Sequence, residues 1–293
     1  MEFAFGAALL FSISSVSGRQ GVLHLGPART NFTRQILALV LLGLYAHLIG
    51  GGFHGPALGW FIFSGFIGYG IGDTSIYSAL PLLGSRLTSL MTQCLAAPIG
   101  ALIEWAWHGT LLRPEQSIAC LIILAGVALA LAPNRGAAPT QRLPTKGVVY
   151  GVLAAVGQAG GAVFSRHGSK VSALAGMPVD GITVAYQRIW PGLLVGGLWY
   201  WFHRRSSPAG PTDTSKPSEK SPWQKAWPWI VLNAIAGPTL GVSCYQRALQ
   251  LEPTAIVLPI VALSPLLVIP LAWFMEGERP TFRSLAGGII AVA

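Results

Sequence analysis

One carboxylate stands apart in this sequence. Asp73 lies in the stretch GYGIGDTSIYSAL, residues 68–80, with Tyr69 and Tyr77 four positions to either side. Positions four apart share a helix face, so the three side chains would form a carboxylate flanked by two phenols. Such a patch can bind an ammonium group or carry a coupling proton. The competing reading is a static hydrogen-bonded link between Asp73 and Arg34.

Arg34 and Arg188 open the second and seventh apolar segments. An arginine near a helix end can snorkel to the membrane surface; the sharper reading makes the pair carboxylate clamps or partners of Asp73. Gln93, Gln158, Ser243 and Tyr245 add neutral polarity. Gln158 sits in AAVGQAGGAVF, residues 154–164, where small residues also permit close helix packing. Glu104, beside two tryptophans late in its segment, reads as interfacial. Cys94, Cys120 and Cys244 fall in apolar runs without ligand spacing, and the histidines have none either, so no metal and no cofactor are expected. The sequence contains no phosphate-binding glycine loop, HExxH or GxSxG, the usual marks of nucleotide hydrolysis, zinc proteolysis and acyl transfer. It is read as a non-enzyme, with any coupling drawn from a gradient or from exchange.

The elements that must position these groups belong in lipid. Charged residues are 10% of the chain and hydrophobic ones 52%, with mean hydropathy +0.57; soluble domains carry about 25% charge. Apolar segments run over 3–22, 34–53, 57–80, 87–108, 116–133, 147–165, 182–203, 227–248, 254–275 and 283 onward. A helix needs roughly 20 such residues to cross a bilayer, so the tenth segment, ending at Ala293, reads as cut short. The expected fold is an all-α integral membrane protein of ten transmembrane helices. Pro98, Pro191, Pro238, Pro259, Pro265 and Pro270 lie within segments. Broken helices in lipid are tolerated chiefly beside protein or a water-filled cavity.

The polar stretch PNRGAAPTQRLPTKG, residues 133–147, divides the chain into 1–133, a linker 134–146, and 147–293. Shifting the sequence by 168 positions aligns Ser75 with Ser243, Tyr77 with Tyr245, Trp105 with Trp273 and Gly109 with Gly277. A shift of 154 pairs Arg34 with Arg188. Five crossings per half would make the second half enter from the opposite side, an inverted repeat of the kind transporters use around a mid-membrane site.

The stretch LSPLLVIPLAWFMEGERPTFRSLAGGIIAVA, residues 263–293, joins a proline-bearing span, an aromatic, Gly-Glu, a polar turn and a Gly-rich span. It resembles the EamA family of the drug/metabolite transporter superfamily. The first half, with Thr110 where the Gly-Glu glutamate would stand, departs from that pattern. The resemblance implies two five-helix repeats and a carrier of small metabolites, amino-acid exporters included.

The chain is thus expected to be a multi-pass protein of a bacterial inner membrane that moves a small polar metabolite such as an amino acid by alternating access. Asp73, Tyr69 and Tyr77 would line the site from one half and Ser243 and Tyr245 from the other. Arg34 and Arg188 would set the charge, with Gln93 and Gln158 as polar contacts. Exchange of a sugar phosphate or nucleotide sugar is the alternative, in which the arginines would matter more. Expected partners are the solute, the bilayer and a coupling proton, without nucleic acid, in a monomer or homodimer. The loop charges place the N-terminus outside, whereas the family resemblance implies cytoplasmic termini.

Overall fold

A computed structural model describes residues 1–108, 114–131, 143–206, 221–277 and 282–292. Most of the expected linker, Thr110, and most of the polar stretch 203–225 lie outside them. Among the described residues every regular element is helical: α1 (Glu2–Leu25), α2 (Pro27–Leu48), α3 (Leu58–Gly65), the π-helix π1 (Phe66–Asp73), α4 (Thr74–His108), α5 (Pro114–Leu131), α6 (Thr145–Leu174), α7 (Gly181–Ser206), α8 (Pro222–Ala234), a second π-helix π2 (Ile235–Gly241), α9 (Val242–Leu251), α10 (Thr254–Val261), α11 (Ser264–Glu276) and α12 (Phe282–Val292).

Local chemistry explains the joints. Gly26 (φ 79°) and Gly176 (φ 73°) turn the chain after α1 and α6, a conformation glycine adopts without Cβ strain. Gly84, at φ 77° and ψ 171°, breaks α4 internally. Pro265 proves to stand in the first turn of α11, where the missing N–H costs nothing; it starts a helix after the break at Ala262 and does not kink a continuous one. Pro98, Pro191, Pro238, Pro259 and Pro270 lie inside helices.

Three described helical stretches are long and apolar enough to cross a membrane: Leu58–Trp107, Thr145–Leu174 and Thr254–Met275. The other long helices are diluted by small and polar residues on buried faces. Ser12 and Ser17 of α1, and Thr30, Asn31, Arg34 and Gln35 of α2, are buried, while large apolar side chains such as Leu9, Val40 and Leu44 are exposed. That is the reverse of a soluble protein, and it suits lipid on the outside.

Two joints recur at the same spacing along the chain. At the shift of 168, π1 falls on π2, residue 73 on 241, and the break at Gly84 on the chain's turn to extended backbone at Glu252. The packing crosses between halves. The helix α1 lies against α8, π2 and α9, while α6 lies against α3, π1 and α4; α2 packs on α7 and α5 on α12. Where α6 meets π1 the backbones touch: a Cβ on Gly72 would stand 3.3 Å from Gly157 Cα, and one on Gly68 3.7 Å from Gly161 Cα.

Candidate functional site

Both arginines lie deeper than expected. The helix α2 starts at Pro27 and α7 at Gly181, so Arg34 and Arg188 sit about two turns inside their helices. Polar first turns such as PARTNF concealed the true start. Each arginine is 4% exposed, which excludes snorkelling to the surface.

The π-helix π1 winds wider than an α-helix, a geometry found often at functional sites. It ends at Asp73, whose carboxylate accepts from Arg34 Nη2. Arg34 Nε donates to Asn31 Oδ1 at 3.2 Å, and the guanidinium lies 4.5 Å from the Tyr77 ring centroid. Tyr77 donates its hydroxyl to Asn233 Oδ1 at 2.7 Å, and Asn233 Nδ2 donates to Ser14 O at 2.5 Å. Arg34, Asp73 and Tyr77 are thereby tied to α1 and α8. Gly237 of π2 permits the approach, since a Cβ there would meet Ser14 Oγ at 2.5 Å and Arg34 Nη1 at 3.3 Å.

These groups border an interior cavity of about 90 Å³. Asp73, Arg34, Tyr69, Tyr77, Gln93 and Gln158 all line it. Gln158 Nε2 donates to Gln93 Oε1 at 3.3 Å, joining α6 to α4 across its wall. On a scale where roughly 150 Å³ holds a benzene, this space holds a few waters or a small solute.

The remaining expected residues lie elsewhere. Ser243 Oγ donates back to Thr239 O at 2.5 Å, within its own rod. Tyr245 packs edge-on against Phe11, ring centroids 5.8 Å apart. Arg188 lies beyond Tyr69, 5.8 Å from that ring's centroid. None of the three lines the cavity.

Further polar lining was overlooked: Ser14 and Ser15 from α1, and Thr88, Ser89 and Thr92 from α4. Its signal was present. SRLTSLMTQ, residues 85–93, sets polar side chains at 85, 88, 89, 92 and 93, the helical spacing of one face. In a lipid-spanning helix a polar stripe points inward. Thr88 and Thr92 have buried hydroxyls without a partner.

Helices of this composition around a polar interior space define a multi-pass membrane protein. The match to the EamA-like transporter family extends over residues 2–132 and 145–293; the chain belongs to that family. A Pseudomonas aeruginosa protein known as uncharacterized protein PA1977 is 34% identical over 145 residues, 45% of this chain and 48% of that protein, so the match spans about half the relative's length. A solved crystal structure aligns with a TM-score of 0.60 over 99% of this chain and 92% of the other, at 19% identity. That likeness shows the fold.

Proposed function

We propose that the chain is a secondary transporter of the bacterial inner membrane that moves a small polar metabolite of amino-acid size through the cavity bounded by Asp73, Arg34 and Gln93. Ten helical passages, five in each matched half, run in opposite senses. Alternating access then follows from rocking one packing group against the other about the fixed site.

The observation that carries this reading is the polar cavity itself. A buried charge pair and unpartnered hydroxyls in a lipid-spanning protein cost several kcal/mol and are retained where they do something. The paired state of Asp73 bears on recognition. Its carboxylate is already held by Arg34, so a substrate ammonium must compete with a guanidinium.

Counterflow in proteoliposomes tests the reading, with labelled amino acids and sugar phosphates as the panel. Saturable exchange of one class, reduced at least tenfold by Asp73→Asn, supports it. Exchange indifferent to Asp73→Asn and to Gln93→Ala would place the route elsewhere. Sugar-phosphate exchange is the second reading, favoured by the two buried arginines. Loss of phosphate exchange in Arg188→Gln, with Asp73→Asn still active, would select it.

A further inference from the structure

The two arginines are equivalent by repeat yet differ in one respect. Arg34 has Asp73; at the shift of 168 the matching position in the second half is Gly241. No carboxylate can be added there cheaply, because a Cβ on Gly241 would stand 2.9 Å from Phe11 Cε1. Among the described residues Arg188 forms no ion pair, and its Nε has no hydrogen-bond partner. Its aromatic neighbours offer a ring face but no anion. Tyr69 faces it at 5.8 Å, Tyr245 is within electrostatic reach, and the hydroxyls of both are also unpartnered. All three side chains are more than nine-tenths buried.

We infer that Arg188, Tyr69 and Tyr245 form the receptor for an acceptor group of the cargo, and that this group is a carboxylate on a solute of net charge −1. The cluster is rich in donors and, among the described residues, has no anionic acceptor: Arg188 Nε and the hydroxyls of Tyr69 and Tyr245 all lack a hydrogen-bond partner. An anion supplies the missing acceptor. The charge count selects its valence. At the cavity and the adjoining cluster, Arg34, Asp73 and Arg188 sum to +1, and an uncompensated charge in a low-dielectric surrounding is costly. A monoanion brings the sum to zero; a zwitterion leaves it at +1, and a phosphate dianion overshoots. Tyr69 borders both the cavity and Arg188, so movement of its ring is the step that admits the carboxylate. This inference rests on the transport reading and specifies its substrate class.

The experiment uses the full chain in proteoliposomes with four labelled probes: lactate, aspartate, alanine and glucose 6-phosphate. Exchange of lactate or aspartate, at least tenfold faster than of alanine or glucose 6-phosphate, is expected. Arg188→Gln should lower that exchange at least tenfold, Arg188→Lys should retain part of it, and Tyr245→Phe should raise KM with a smaller change in kcat. In detergent, substrate-free Arg188→Gln should melt no lower than the parent, because it removes a buried unpaired charge; a purely structural arginine would give the opposite. If Arg188→Gln does not fold, Tyr245→Phe decides, and an unchanged KM overturns the inference. Rapid alanine or glucose 6-phosphate exchange in the parent overturns the charge assignment while leaving transport intact. Exchange of no probe removes the transport reading and this inference together.

Discussion

Arg34 and Asp73 depend on each other. Removing one partner of a buried ion pair strands the other charge and costs about 3–5 kcal/mol, whereas replacing both is often close to neutral. Asp73→Asn alone should therefore lower the melting temperature in detergent clearly, and Arg34→Gln combined with Asp73→Asn should recover most of the loss. Losses that simply add would show the two groups to be energetically independent. Tyr77→Phe keeps the ring beneath the Arg34 guanidinium and deletes the bond to Asn233. It should cost about 1 kcal/mol, visible as a small fall in the same melting temperature.

The close meeting of π1 with α6 is a property of elements. Gly72, Gly68, Gly157 and Gly161 let two backbones approach, and small residues are the means by which helices pack tightly where lipid offers no hydrophobic drive. Gly157→Leu inserts a side chain against the backbone of Gly72 and Ile67. It should destabilise by about 1–3 kcal/mol and reduce transport at least tenfold, read by thermal unfolding and counterflow on the same preparation. Gly84→Ala makes a useful contrast. Its cost is the backbone at φ 77° and ψ 171°, a region essentially confined to glycine and worth about 1–3 kcal/mol. Gly84 itself is not a lining residue of the cavity, so stability should fall with transport less reduced than in Gly157→Leu. Equal transport loss in both variants would show that the α6–π1 contact has no special part.

At the scale of the whole molecule, the two halves carry the same joints at matching places. The proposed inverted arrangement predicts that the turn at Gly26, between α1 and α2, and the turn at Gly176, between α6 and α7, open to opposite sides of the membrane. Single cysteines at Leu25 and Ala175, in a chain with Cys94, Cys120 and Cys244 replaced, should react with a membrane-impermeant maleimide from opposite faces. Labelling of both from one face would overturn the inverted repeat. The same measurement decides between an external and a cytoplasmic N-terminus, on which loop charge and family resemblance disagree.

What the sequence determined alone is set by periodicity and solvent. The apolar runs, their prolines and the scarcity of charge specify lipid-spanning helices, because each run must satisfy its own backbone in a medium without water. The spacing of Tyr69, Asp73 and Tyr77 put them on one face, and the shifts of 168 and 154 paired Tyr77 with Tyr245 and Arg34 with Arg188. The structure alone decided which of these groups meet. Ser243 shared the motif of Ser75 yet bonds back to Thr239 of π2. Thr88 and Thr92, marked in the sequence only by a polar helical stripe, line the cavity. Among the described residues, Arg34 found a carboxylate and Arg188 did not. Helix periodicity fixes the face a residue occupies, but only long-range packing selects the neighbour across that face, and a buried charge takes its meaning from that neighbour.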